Sequence, residues 1–332
     1  MSLFRKKSLA HLLASAADSE KGLKRTLGAT NLVALGIGAI IGAGLFVRTA
    51  AAAAEASGPA VTLSFIVAAI GCAFAGLCYA EFASMIPIAG SAYAYSYVTM
   101  GELVAWIIGW ALIMEYALGA ATVSIAWSEY LNNLLGGSIP YEWCHSPFES
   151  LHKVTGQDNI NQIAAFNADF IKAAKDGSLI LTEGQFEQLP GNLSGLVQVT
   201  SGIINAPALI ILLALTLLLI KGTQESAIVN AIIVFIKVAI VLLFIALGWQ
   251  FINPDNHTPY LIPQGTPGHD SVFKWGWGGV LGGAAIVFFA FIGFDAVSTA
   301  AQEAKNPKRD MPIGILGSLV VCTILYLSLI HI

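Results

Sequence analysis

Seven apolar runs dominate this chain, near residues 31–56, 60–87, 101–131, 202–220, 226–250, 279–301 and 312–332. Each is long enough to cross a bilayer as a helix, which takes about 20 apolar residues. With 56% hydrophobic and 11% charged residues over 332 positions, a water-soluble fold has too little polar surface to cover itself. The sequence therefore predicts a multi-pass, all-α integral membrane protein. Pro59, Pro87, Pro207 and Pro312 fall at the expected helix ends, since proline cannot continue a helix.

Basic residues orient the spans. With the N-terminus inside, the cytoplasmic segments carry Arg5, Lys6, Lys7, Lys21, Lys24, Arg25, Lys221, Lys305, Lys308 and Arg309, whereas the outer ones carry Lys153, Lys172, Lys175 and Lys274. Ten against four obeys the positive-inside rule, so a cytoplasmic N-terminus in the inner membrane is expected. Residues 1–30 read as a basic arm, amphipathic on the inner leaflet or else a disordered tail. Residues 31–131 supply helices 1–3. Residues 132–200 form a long, acidic, outward segment with room for short helices near 159–175, and 201–332 supply helices 4–7. Asn192 and Asn256 each open a weak glycosylation sequon. The closing "LYLSLIHI" carries no polar tail, which reads as a fragment of a longer membrane protein or one with altered last residues.

Cys72, Cys78, Cys144 and Cys322 have neither disulfide nor metal spacing and read as small buried hydrophobes. Every histidine falls in a loop or at a chain end in this reading, so no metal set, cofactor site or hydrolytic arrangement is expected inside the spans. No enzyme and no nucleic-acid binder is indicated.

The stretch "LGIGAIIGAGLF" (35–46) places Gly36, Gly38, Gly42 and Gly44 in the middle of the first span. Each weakens a helix by roughly 1 kcal/mol relative to alanine. One explanation is packing, with Gly38 and Gly42 forming a G-xxx-G face. The other is a broken helix at Gly42-Ala43-Gly44, whose freed amides and helix-dipole end suit a carboxylate. The second explanation demands a matching break five spans on, because transporters built from inverted repeats pair their discontinuous helices. In "IVFFAFIGFDAVSTAAQEAKNPKRDMP" (286–312), Gly293 and Asp295 interrupt the sixth span and meet that demand.

Four ionisable residues lie within spans: Glu81, Glu115, Lys237 and Asp295. Each costs roughly 3 kcal/mol at a lipid-facing helix centre, so each needs protein, water or a partner. Lys237 shares a helical stripe with Ser226, Asn230 and Ile233, and a buried amine can load and release a proton. Glu115 shares a face with Gly119 and Thr122 and suits a substrate cation or a proton path. Asp295 aligns with Ser298, Thr299 and Gln302, and helping to hold the second break is its expected job. For Glu81 the expectation is structural.

Three passages, "LKRTLGATNLVALGIGAIIGAGLFV", "NAIIVFIKVAIVLLFI" and "FFAFIGFDAVSTAAQEAKNPKRDMPIGI", resemble the amino acid–polyamine–organocation superfamily, specifically its bacterial cationic amino acid transporter branch. The resemblance implies a LeuT-type five-plus-five inverted-repeat fold, with the second repeat beginning near 279. It implies alternating-access transport of an amino acid, with Ile40, Ile41, Gly42, Ala43, Gly44, Glu115, Phe289, Ala290 and Ile292 as the substrate-binding residues. Phe289 matches an aromatic gate; Gly38, Gly293 and Asp295 support the breaks. Lys237 would carry a coupling proton beside the carbonyls of Gly38 and Ile41. Proton symport is the leading expectation, exchange its competitor within the same fold, and a seven-helix channel or receptor a distant third. The expected partners are the amino acid, protons and the lipid bilayer, with a monomer as the unit.

Overall fold

The computed structural model describes residues 5–10, 13–14, 25–42, 44–167, 170, 174–175, 177–221, 223–264, 266 and 271–332. Two compact units result, Met1–Tyr116 with Gly222–Ile332, and Ala117–Lys221.

The first unit is helical. Helix α1 (Ala29–Ile40) stops at Ile41, whose ψ of 108 takes the chain out of the helix. The chain resumes as a wide π turn (Gly44–Arg48), one α turn (Thr49–Ala52) and a second π turn (Ala53–Ser57). Gly58 ends the run with φ +59, a conformation that favours glycine, and Pro59 opens the next turn where its missing N–H costs nothing. Then come α2 (Val61–Met85), α3 (Ser91–Thr99) and α4 (Glu102–Leu134), of which the part up to Tyr116 belongs to this unit. Further along lie α7 (Thr223–Gly248), α8 (Gly276–Val287) and α9 (Pro307–Ile330).

Helix α8 tightens into a 3-10 turn at Phe288–Phe291, and Ile292 is extended with ψ 134 before a short helix at Ala296–Thr299. The second interruption thus falls where Gly293 and Asp295 predict it. At Gly293 φ is +116, and a Cβ there would meet the Ala39 carbonyl oxygen at 2.7 Å. Only glycine fits that approach.

Helix α9 packs on α2 and α1. Its seam is built from small residues: a Cβ on Gly36 would collide with Ser318, and one on Gly314 would lie 2.7 Å from Leu32 Cβ. Leu32, Ile41, Leu45, Phe65, Phe291, Met311, Ile315 and Tyr326 are fully buried between these elements. Helix α9 begins five residues before the predicted start, so Pro312 lies inside it rather than at its end. The Asp310 carboxylate accepts from the Asn306 amide at 3.0 Å and closes the helix start.

Five helical stretches reach membrane-crossing length and apolarity: Thr49–Met85, Glu102–Leu134, Ala231–Phe251, Gly276–Thr299 and Pro307–Ile330. Ala29–Ile40 and Ala206–Ile220 are apolar but shorter. All seven predicted runs are thus helical, but the first span is divided by its break and the fourth is short.

The all-α expectation needs one correction, in the second unit. Residues 150–201 form a four-stranded antiparallel sheet, order β2-β3-β1-β4, from β1 (Ser150–Thr155), β2 (Ala174–Lys175), β3 (Ser178–Leu181) and β4 (Gln198–Ser201). Helix α5 (Gln157–Phe166) packs on it, overlapping the first part of the range near 159–175 where a short helix was expected. Val154, Ile160, Ile163, Phe170, Leu179 and Leu181 form a core of its own. Thr182 and Gln185 make a reciprocal capping box that starts the next helical turn. His152, read as a loop residue, sits on β1, buried and stacked on Phe186. Helix α6 (Ala206–Lys221) closes the unit.

Candidate functional site

The two interruptions meet. A Cβ on Gly44 would run into the backbone of Ala290, so the resumed first helix lies directly on the turn that ends α8. On the other side of the contact, Gly293 lies against Ala39. Residues about 250 positions apart in sequence therefore form one junction, made possible by two glycines. Gly42 is different, since a Cβ there would meet no described atom within 4 Å. That openness removes Gly42 from a G-xxx-G packing face. Gly36 fills the packing role, against Ser318 and Val297.

Lys237 reaches the first break from α7. Its Nζ donates to the Gly38 carbonyl at 2.5 Å and to the Ile41 carbonyl at 2.7 Å. Where α1 stops, its last carbonyls lose their i+4 partners, and the amine supplies donors in their place. Both contacts implied by the family resemblance are present. Of the stripe read with Lys237, Ser226 and Asn230 have side chains outside the described set, and Ile233 is exposed.

A second donor joins the junction. The Tyr326 hydroxyl on α9 lies 3.1 Å from the Ile40 carbonyl and 3.0 Å from the Ala290 carbonyl. Its ring packs edge-on to Phe65 at 5.7 Å and against Phe291 at 5.4 Å. Sequence reasoning missed this residue. A tyrosine inside an apolar run gives no sign that its hydroxyl faces two distant carbonyls.

The remaining expected residues divide between the two breaks. Ile40 and Ile41 are buried at the first, Gly42 is half-buried, and Ala43 lies outside the described residues. Ala290 is fully buried at the second, with Phe289 and Ile292 half-buried on either side. The Arg48 guanidinium stands 5.9 Å from the centre of the Phe289 ring, a cation–π contact that reaches from one interrupted helix to the other. Asp295 is 4% exposed and accepts a 2.6 Å hydrogen bond from the Tyr116 hydroxyl. Glu115, one residue before Tyr116, is half-buried. Glu81 is exposed, and its backbone carbonyl accepts from Ser84. Among the described residues no group of three or more metal-ligating side chains occurs, and all four cysteines are free.

Residues 27–331 match the Amino acid permease family. The chain belongs to that family. It is therefore a multi-pass membrane protein of a transporter family, part of the larger amino acid–polyamine–organocation superfamily. Among similar proteins, this chain is 44% identical to the branched-chain amino acid permease BcaP of Bacillus subtilis (strain 168), over 98% of its own length and 58% of the relative's. It is 42% identical to the methylthioribose transporter of the same organism, with the same coverage of both chains. Against the vacuolar cationic amino acid transporter 4 of Arabidopsis thaliana the identity is 33%, over 99% of this chain and 46% of that protein. The chain spans about half the length of the relatives it matches.

Proposed function

We propose that a protein built on this chain is a secondary active transporter that moves amino acids across the cell membrane by alternating access, with proton symport as its coupling mode. Its N-terminus is cytoplasmic, and its fold is the five-plus-five inverted repeat, with α1 and α8 as the paired discontinuous helices. The substrate's carboxylate faces the backbone from Ile40 to Gly44, and its amine faces the carbonyl ends of both breaks. Ala290 and Ile292 line the second break, Phe289 closes over the ligand, and Glu115 meets a cationic group or relays a proton. Gly38, Gly293 and Asp295 support the breaks.

The observation that carries this reading is the double hydrogen bond from Lys237 Nζ to Gly38 and Ile41. A lysine amine can exist neutral or charged, unlike a guanidinium. Losing the proton removes a charge and a donor from carbonyls at the edge of the ligand site. Proton occupancy and substrate occupancy then act on one break, meeting at Ile41, the form coupling requires.

The relatives' names span branched-chain amino acids, cationic amino acids and methylthioribose. A site built from backbone recognises the α-amino and α-carboxyl groups and leaves the side chain to flanking residues. The test is uptake of labelled amino acids, with methylthioribose included, into proteoliposomes with and without an inward proton gradient. Accumulation driven by the gradient supports symport. Uptake that needs internal amino acid instead, regardless of the gradient, would assign exchange.

A further inference from the structure

We infer that Tyr326 is a positioning residue that sets the spacing of the two breaks and thereby the fit of the ligand between them. The inference rests on the proposed amino acid site at that junction.

One phenolic hydroxyl has one hydrogen to donate. Two carbonyls lie within reach of it, Ile40 at 3.1 Å and Ala290 at 3.0 Å, and each belongs to a different interrupted helix. Ile40 is the last residue of α1, and Ala290 lies in the 3-10 turn that ends α8. Both carbonyls sit where regular helix stops, so both lack the N–H donor that a continuing helix would supply. Tyr326 is 0% exposed, which makes an unpaired carbonyl costly there and keeps water from substituting. The ring is clamped by Phe65 and Phe291, so the hydroxyl is held in place and the carbonyls must come to it.

Geometry and donor count then combine. When the breaks are close, the hydroxyl serves both as a shared donor; when they part, it can keep only one. The residue therefore favours the arrangement in which Gly44 lies on Ala290, the junction described above. Lys237 acts on the neighbouring carbonyls, Gly38 and Ile41. The first break thus has two separate holders: an amine that can change its charge and a hydroxyl that does not. Division of labour follows, with Lys237 sensitive to protons and Tyr326 fixing geometry.

Tyr326→Phe keeps the ring and removes only the hydroxyl. Three measurements, two on the purified protein and one of uptake after reconstitution, separate the outcomes. Hydrogen–deuterium exchange without substrate should rise at both breaks together, at residues 41–46 and at 292–296, and remain unchanged at the second unit's sheet. Amino acid affinity, read by thermal shift, should fall about tenfold, and the pH profile of uptake should keep its midpoint. Phe65→Leu, which loosens the ring but keeps the hydroxyl, should lower the melting temperature with a smaller loss of affinity. Exchange unchanged at both breaks, or raised at one alone, would overturn the inference, as would a variant that cannot be recovered folded or a shifted pH midpoint. If the unsubstituted protein binds no amino acid, the transport reading fails, while the exchange measurement still decides the role of Tyr326.

Discussion

The Lys237 amine donates to the Ile41 carbonyl at 2.7 Å, at the residue where the first membrane helix leaves helical geometry. A second bond from the same nitrogen to Gly38, one turn earlier, spans the end of the helix. The amine therefore occupies the position from which it can stabilise or release the break, and the break in turn lies on Ala290 of the second interrupted helix.

Gly42 and Gly44 should respond differently to substitution. Gly42→Val places its side chain in open space at the break, so the protein should insert and melt normally while amino acid binding is lost. Gly44→Val meets the Ala290 backbone, so it should destabilise the fold by about 1–3 kcal/mol, the usual cost of overpacking. Thermal melts in detergent, with and without amino acid, separate the two. Binding retained by Gly42→Val would remove the first break from the ligand site.

Gly293→Ala should be costly although it adds one methyl group. The backbone there has φ +116, and the new Cβ would lie 2.7 Å from the Ala39 oxygen. A residue forced into such a conformation costs about 1–3 kcal/mol before the clash is counted. A melting temperature within error of the unsubstituted protein would show that the second break relaxes without Gly293.

Phe289 is half-buried beneath Arg48, whereas Phe244 is 52% exposed on α7. Phe289→Ala should weaken amino acid affinity about tenfold, since the ring's apolar cover is worth roughly 1.4 kcal/mol or more. Phe244→Ala should leave affinity unchanged. Equal losses at both positions, measured by ligand titration, would reduce Phe289 to packing.

Asp295 is buried with the Tyr116 hydroxyl as a donor. Tyr116→Phe leaves that carboxylate short of a partner and should destabilise the protein by about 1–3 kcal/mol, with Asp295→Asn restoring part of the loss in the double variant. Additive effects in the four-way thermal cycle would contradict a direct interaction.

Much of this arrangement is written locally in the sequence. The glycines at 42, 44 and 293 weaken helix whatever surrounds them, so both interruptions are legible before any contact is known. Lys237 stands out because a charge in an apolar run demands a partner, though its acceptors came from family resemblance. Tyr326 and Tyr116 were not legible. Their hydroxyls act on atoms far away in sequence, and a tyrosine in a membrane helix has many uses. The sheet at 150–201 escaped for another reason, since its strands run two to six residues and are too short for a clear alternation. Pro312 misled by rule: it lies inside α9, where the helix forgoes one backbone bond, and the proline at the helix start is Pro307.

The central claim is that the proton acting on transport sits on Lys237. A tenfold shift between inward- and outward-open forms takes only about 1.4 kcal/mol, well within what a single charge beside two carbonyls can supply. Lys237→Arg should fail with Lys237→Ala, because a guanidinium keeps its proton at physiological pH. The direct measurement is uptake of labelled amino acid into vesicles at fixed substrate, with an inward proton gradient and without one. Gradient-driven accumulation should vanish in Lys237→Ala while amino acid binding persists; undiminished accumulation in that variant would contradict the account and move the coupling site to Glu115.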